Sequence, residues 1–312
     1  LHDIRMQDLA GGMTRPCAML IVMGCRTVVP ADFEEEGSAP SADLLEKMRA
    51  LDASAPTAEE EAAGGVSRRR YLQFLDSSSS TASLGFRIDA AKTVVDGELA
   101  TLPLPEGVSL ETLRDEASVQ AAIGTFLQDD YALCKAVLGK LQALTTALER
   151  SAFFSKHVLL RSTLLMVYDD AARTKLELKM VSFGDSFAAA DGEALSHDTL
   201  GWSGAAGSHE DGYLAGARSL VRLFNQMHPE MQVRNLKGHN RNTTASRERY
   251  TAPEESTSFA ERNRSSSRPS SGNRAKSAAS LRPASAGGAF RFPSRQASAP
   301  QPSSGKSDLP SP

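Results

Sequence analysis

Apolar residues form a short continuous run near the start of the chain. Ala18 to Met23 (AMLIVM) is apolar throughout and lies between Pro16 and Gly24. A run of this length, bounded by proline and glycine, predicts a buried strand that ends in a turn at Gly24. Ser83 to Ile88 (SLGFRI) predicts a second strand, of mixed polarity.

Alternation of polar and apolar residues predicts a hairpin further along the chain. The segments VLLRSTLLMVYDD and TKLELKMVSF are apolar enough for strands, and Asp169 to Arg173 joins them as a turn-rich connector. In the second segment Lys175, Glu177 and Lys179 alternate with apolar residues, which is the period of a half-buried strand. The two segments therefore predict an antiparallel pair.

Helical spacing of apolar residues occurs in three segments. They are Leu110 to Gln128, Tyr131 to Glu149 and Asp211 to Met227, and His228-Pro229 is expected to end the third. The order of strand, helices, hairpin and helix predicts an α+β domain with an antiparallel sheet and flanking helices.

Charge is distributed unevenly over the 312 residues. The chain has 35 Lys and Arg against 38 Asp and Glu, yet residues 236–312 contain 13 and 5 of these, which makes them basic and leaves residues 1–235 acidic. Because residues 231–312 become rich in Ser, Arg and Pro, they are expected to form a disordered basic tail. Residues 31–66 are expected to be an acidic low-complexity linker or insert with a short helix around residues 42–51. The folded core is expected in residues 1–30 and 67–230.

Cysteine, leader and membrane signals favour an intracellular protein of the cytoplasm or nucleus. Cys17, Cys25 and Cys134 lack metal-ligand and redox spacing, so buried free thiols in a reducing compartment are expected. No apolar run approaches the roughly 20 residues of a membrane helix. Charged residues among the first ten argue against a signal peptide. Since the chain starts with Leu1 and not Met, the true N-terminus is expected to lie upstream.

Single motifs give weak chemical signals. The six histidines form no pair with metal-binding spacing, and no Walker-type glycine loop occurs. Asp185 follows a predicted strand, where an acid is either a turn residue or a metal ligand. Arg68-Arg69-Arg70 is either a solvated helix face or a place for an anion.

Taken in order, five segments resemble the inositol polyphosphate kinase family. The most specific match is Leu72 to Ala90, which is similar to the family's Ser/Thr-rich stretch followed by LGFRI. The others resemble its P-x-x-x-D-x-K-x-G-x-R signature, its S-S-L-L strand, its I-D-F segment and its D-x-G-Y-x-x-G-L helix start: Asp8 to Thr27, Arg161 to Asp169, Leu178 to Ser186 and Glu210 to Phe224. The resemblance implies a two-lobed kinase fold whose N-terminal lobe is largely missing from this chain.

The same resemblance implies transfer of a phosphoryl group from ATP to a hydroxyl of an inositol phosphate, with Mg²⁺. The family's signature Asp and Lys correspond to Leu20 and Val22, and its I-D-F Asp corresponds to Ser182. Leucine and valine neither ligate a metal nor pair with phosphate, and a serine hydroxyl is a weak neutral ligand. Ser182 and Ser162 are therefore weakened metal positions, with Asp185 as a substitute ligand. These substitutions argue against ATP and Mg²⁺ binding and against catalysis.

An inositol phosphate needs a basic patch on this acidic body. The candidate residues are Arg26, Arg68, Arg69, Arg70 and Lys92. Ordinary surface charge is the alternative, above all for Lys92. The arginine triplet directly precedes the matched Leu72 segment, where the family places basic residues that face the substrate.

The tail carries repeated Arg-x-x-Ser spacing, which basophilic protein kinases recognise. Each added phosphate would remove positive charge from the tail. The candidate phosphorylation sites are Ser267, Ser271, Ser285, Ser294 and Ser298. Chance matches in a low-complexity segment are the alternative.

Three functions are left open by the sequence. The first is a working ATP-dependent inositol phosphate kinase that uses Asp185. The second is a degenerate kinase that binds inositol phosphates or a protein partner without turnover. The third is an interaction protein whose basic tail contacts a protein partner, with RNA as a less favoured ligand.

Overall fold

Five antiparallel strands form the main sheet of the computed structural model, which describes residues 7–34, 40–189, 194–200 and 210–250. The strands are β1 (Pro16–Met23), β2 (Phe86–Val95), β3 (Glu98–Thr101), β5 (Thr163–Asp169) and β6 (Leu176–Val181), in the order β3-β2-β1-β5-β6. Two further strands, β4 (His157–Leu159) and β7 (Ser186–Ala188), pair separately. All paired strands are antiparallel, so the predicted α+β class and hairpin are confirmed.

Strand β1 lies in the centre of the sheet because it is apolar on both faces. Its odd-numbered residues from Cys17 to Met23 are fully buried in the main core. The even-numbered residues from Ala18 to Val22 point to the opposite face, which we call the outer face. The strand ends at Met23, directly before the predicted turn at Gly24. The φ of Gly24 is 100°, and a Cβ added there would lie 2.7 Å from the carbonyl oxygen of Asp211, so only glycine fits.

Three long helices cover the core face of the sheet. They are α6 (Glu116–Phe126), α7 (Tyr131–Glu149) and α8 (Tyr213–Tyr250), and all three contribute buried side chains to the main core. The predicted boundaries of α7 are confirmed. Helix α6 begins later than predicted because the carboxylate of Asp115 accepts from the Ser118 N–H and caps it there. None of the helices in the described ranges combines the length and apolar composition needed to cross a lipid bilayer.

The acidic segment is folded where the structure describes it. Its helices are α1 (Ala31–Glu34), α2 (Ala42–Leu51) and α3 (Ala58–Ala63), and α4 (Arg68–Ser78) and α5 (Thr81–Leu84) follow. The predicted helix at residues 42–51 is confirmed, but the expectation of a linker is wrong for residues 40–66. Leu45 and Met48 of α2 form a second small core with Val66 and with Phe74 and Leu75 of α4. Burial of these apolar side chains explains why an acidic segment folds.

Helix α8 continues beyond the residue predicted to end it. Pro229 lies inside the helix, where it removes one backbone donor. Met231 on the far side of the proline is only 2% exposed and packs in the main core, so tertiary burial offsets the lost hydrogen bond. Residues 231–250, predicted as the start of the disordered tail, are therefore helical, and the rest of the tail lies outside the described residues.

The three cysteines are buried and free, as predicted. Burial raises the pKa of the Cys25 and Cys134 thiols to about 11. Both therefore remain protonated at neutral pH and are poor nucleophiles and poor metal ligands.

Candidate functional site

The sheet register brings the three positions identified from the family motifs, Leu20, Val22 and Ser182, to one corner of the sheet. Val22 on β1 lies opposite Thr163 on β5, which lies opposite Val181 on β6. Ser182 directly follows Val181. Val22 and Val181 are thus two strand spacings apart, roughly 10 Å. The strand that begins at Pro16 and the strand that ends before Phe183 therefore lie in the same sheet, separated only by β5, as the family resemblance requires.

On the outer face, the β1 side chains at this corner are apolar, and the buried Arg87 of β2 lies opposite Val22. Leu20 lies opposite Leu165, which lies opposite Lys179, and directly opposite residues share a face of the sheet. Val22 is 2% exposed and Leu20 is half-buried. Lys179 is the charged member of this row, and its ammonium pairs with the Glu177 carboxylate at 3.5 Å near the surface. Neither Leu20 nor Val22 offers an atom that could contact Mg²⁺ or a phosphate.

Ser182 and Ser162 have hydroxyl groups but no carboxylate. Ser182 is exposed, with a φ of 65° in the left-handed region. The Ser162 hydroxyl is buried and donates to the Val181 carbonyl oxygen at 3.4 Å, while its own carbonyl accepts from the Met23 N–H at 2.9 Å. Ser162 therefore joins β1, β5 and β6 at the corner and acts as a structural residue there.

A buried arginine lies beside these two serines. Arg161 is 5% exposed, and its guanidinium contacts three oxygen groups. Its Nε donates to the Thr27 carbonyl at 2.7 Å, and one terminal nitrogen donates to the Asp32 carboxylate. The other terminal nitrogen lies 3.5 Å from the carboxylate of Asp185. Asp185, the predicted substitute metal ligand, is thus in contact with a cation of the protein itself.

The network continues on the outer face of the sheet to a second buried arginine, Arg87 on β2, which lies opposite Val22. The Asp76 carboxylate accepts from the Thr27 N–H at 2.7 Å, from the Thr27 hydroxyl at 2.8 Å and from Arg87 at 3.1 Å. Burial raises the pKa of Asp76, and the Arg87 charge and the Thr27 donors oppose that rise. Arg87 also contacts Asp89 at 3.4 Å. Acidic and basic groups therefore alternate beside Val22 on the outer face.

The predicted anion-binding residues lie in different surroundings. Arg26 is 2% exposed and donates to the carbonyls of Glu210 and Val28. Lys92 is exposed on β2, five residues and roughly 17 Å along the strand from Arg87. Arg26 is therefore engaged with backbone carbonyl groups, and Lys92 lies near solvent on the strand that carries Arg87.

The three arginines are the first residues of helix α4, and each contacts different groups. Arg70 donates to the Glu60 carboxylate at 2.8 Å and to the Ala55 carbonyl at 3.0 Å. The guanidinium of Arg69 lies over the Phe33 ring, 5.2 Å from its centre. Arg68 is about half exposed and lies 3.8 Å from Asp32. Arg68 is thus the member of the triplet whose position is most open to a ligand.

Sequence reasoning missed the residues that hold this corner together. Asp32, Asp76, Arg87 and Arg161 carry the buried charges, but none of them was singled out. Their partners are far away in the sequence, so no local spacing marks them. The one available signal was a charged residue within otherwise apolar, matched segments, as for Arg161 before the S-S-L-L-like strand and Asp76 within Leu72 to Ala90.

The side chains of Leu20, Val22 and Ser182 do not fit the Mg²⁺ of a phosphotransferase. Mg²⁺ is bound through carboxylates together with phosphates and water, whereas Leu20, Val22 and Ser182 offer no carboxylate and Arg87, opposite Val22, is a cation. The Asp185 carboxylate pairs with Arg161 instead. Within the described ranges, no three His, Cys, Asp or Glu side chains are grouped closely enough to hold a metal ion. The five phosphorylation candidates of the tail lie outside the described residues.

Known proteins similar to this chain include inositol-trisphosphate 3-kinases. The Rattus norvegicus inositol-trisphosphate 3-kinase A is 34% identical over 223 residues, which cover 71% of this chain and 46% of that protein. The Homo sapiens inositol-trisphosphate 3-kinase B is 33% identical, over 72% of this chain and 22% of that protein. The chain thus spans about half the length of these relatives, or less.

A solved structure of an inositol phosphate multikinase is similar with a TM-score of 0.45 and 19% identity, covering 71% of this chain and 84% of that chain. The family model of the inositol polyphosphate kinases matches residues 3–225, which is more than half of the chain. The chain therefore belongs to the inositol polyphosphate kinase family.

Proposed function

We propose that this chain binds an inositol phosphate without transferring a phosphoryl group to it. The observation that carries the proposal is the pair of apolar side chains, Leu20 and Val22, on the outer face of β1, in register with Leu165 and Thr163. The family signature has an Asp and a Lys at these two positions. A protein that keeps the strand register but replaces both charges has kept the scaffold and lost the reactive groups.

Phosphoryl transfer requires charge at two places. A metal held by carboxylates must bridge the nucleotide phosphates, and a cation must stabilise the group in transit. Asp185 does not supply the carboxylate for the metal, because it pairs with Arg161. Lys179 is poorly placed to be the cation that stabilises the group in transit, because it lies near the surface and pairs with Glu177. These contacts support the absence of catalysis in the described core.

Binding of the ligand is supported by the start of helix α4. Ser67 caps this 11-residue helix, and its first turn contains no acidic residue. The partial positive charge of a helix N-terminus and the exposed half of Arg68 both favour an anion there. The relatives are inositol-trisphosphate kinases by name, and the family thus suggests inositol trisphosphate as the first ligand to test.

The test combines calorimetry and product analysis on one sample. We expect the purified chain to bind inositol trisphosphate and to return it unchanged after incubation with ATP and Mg²⁺. Arg68→Ala should weaken binding about tenfold or more, since hydrogen bonds to charged groups contribute about 1.5–3 kcal/mol. Lys140→Ala, an exposed cation on α7, is the matched control and should bind like the unchanged chain. Absence of binding, or equal weakening by both variants, contradicts the proposed site.

A further inference from the structure

We infer that the Arg161 guanidinium occupies the place of a divalent cation at this corner and makes a metal ion unnecessary there. The oxygen groups that contact this guanidinium are of the kind that hard divalent cations prefer. They are two carboxylates and a backbone carbonyl: Asp32, Asp185 and Thr27. All three oxygen groups converge on one side chain that is 5% exposed.

The charges agree with this assignment. Asp32 and Asp185 together carry two negative charges, which a divalent cation would neutralise. In the structure two arginines do so, because Arg68 lies 3.8 Å from Asp32 on the other side from Arg161. Asp32 is also fixed by the Val29 N–H, which donates to its carboxylate at 2.8 Å. The carboxylates are therefore positioned by the backbone and do not depend on Arg161 alone.

The backbone at Arg161 shows that this side chain is held in place. Its φ is 53°, in the left-handed region that favours glycine. A non-glycine residue keeps such a conformation when its surroundings fix it. Here three hydrogen-bonding groups fix the guanidinium. Glycine is therefore the substitution that removes the cation and relieves the backbone at the same time.

The experiment is a Mn²⁺ titration of the whole chain, with the free ion measured by electron paramagnetic resonance. We expect Arg161→Gly to bind one Mn²⁺ about tenfold or more tightly than the unchanged chain, because it frees three oxygen ligands. Arg161→Lys keeps a cation in the site and should bind Mn²⁺ no better than the unchanged chain. Adding Asp185→Asn to Arg161→Gly should remove the gain. Arg222→Ala is the matched control, because it frees only the surface carboxylate of Glu116.

Two results would overturn the inference. One is an Arg161→Gly variant that binds Mn²⁺ no more tightly than the unchanged chain. The other is an unchanged chain that already binds one Mn²⁺ tightly through Asp185. If Arg161→Gly does not fold alone, millimolar Mn²⁺ should restore its circular dichroism, and failure to do so also counts against the inference. The outcome is independent of the proposed function, which fails only if inositol trisphosphate is not bound or is phosphorylated.

Discussion

Replacing His197 by Asn should destabilise the fold by about 3 kcal/mol. The side chain is 1% exposed. Its Nδ1 lies 2.8 Å from the Asp211 carboxylate and its Nε2 lies 2.7 Å from the Phe154 carbonyl. Both partners only accept hydrogen bonds, so both ring nitrogens must donate and the ring must be an imidazolium. The φ of His197 is 55°, a conformation that Asn tolerates, so backbone strain does not contribute to the predicted loss.

The magnitude follows from the contacts that Asn cannot replace. Asn can still donate to Asp211, but the Phe154 carbonyl loses its buried partner, which costs about 1–3 kcal/mol. The positive charge opposite the buried Asp211 is lost as well, and breaking a buried ion pair fully costs about 3–5 kcal/mol. The stacking of the ring on Phe154, with centroids 3.8 Å apart, also disappears. Because Asn still hydrogen-bonds to Asp211, we expect the free energy of unfolding to fall by about 3 kcal/mol and not by the sum of these contributions.

The loss of unfolding free energy in His197→Asn should become smaller as the pH rises. Burial alone would lower the pKa of His197, but the hydrogen bond to Asp211 and the charge of Asp211 outweigh it and raise the pKa. A group whose pKa is raised on folding stabilises the protein fully below its unfolded pKa, about 6.5. That contribution is lost as the pH rises through the folded pKa. The difference between the unchanged chain and His197→Asn should therefore be largest near pH 6 and shrink at alkaline pH.

The assay is urea unfolding of both proteins across this pH range. His157→Asn is the matched control, because His157 also stacks on a phenylalanine and contacts a carbonyl, Phe153 in both cases, but lies nearer the surface. We expect the control to lose less than about 1 kcal/mol. Equal losses in the two variants, or a His197 loss that grows with pH, would refute the assignment of a buried imidazolium.

Two further substitutions test other buried parts of the molecule. Arg87→Met should destabilise the chain by about 3–5 kcal/mol, because it leaves Asp76 buried without its counter-charge; adding Asp76→Asn should recover part of the loss, and urea unfolding that shows no recovery speaks against the pairing. Met48→Ala should cost about 2–4 kcal/mol, because the side chain is 0% exposed in the small core of the acidic segment. A loss below about 0.5 kcal/mol in the same assay would mean that this segment does not pack as described.

Elements with a local apolar period could be predicted from the sequence. Strand β1, the β5–β6 hairpin and helix α7 follow from apolar residues a few positions apart. Helix α3 was missed although its signal is local. Thr57 and Glu60 form a reciprocal capping box, which the acidic composition of the segment concealed.

Features that depend on distant residues could not be predicted. Helix α8 passes Pro229 because Met231 is buried by other elements, which no helix-ending rule takes into account. The site was predictable only in part. The assignment of Leu20, Val22 and Ser182 to family positions stays a prediction from ordered motifs, and the contact between Arg161 and Asp32 joins residues 129 positions apart. Contacts of that kind are created by the fold.

Phosphoryl transfer by the chain itself is the most direct test of the account. The measurement is the release of labelled inositol tetrakisphosphate from inositol trisphosphate, ATP and Mg²⁺, with the Rattus norvegicus inositol-trisphosphate 3-kinase A as positive control. On the proposal that Leu20 and Val22 occupy the positions of the family's Asp and Lys, we predict no product above the no-enzyme background, in the unchanged chain or in Asp185→Asn. Product that forms with the unchanged chain and disappears with Asp185→Asn would contradict the account, since Asp185 would then serve the reaction despite its contact with Arg161.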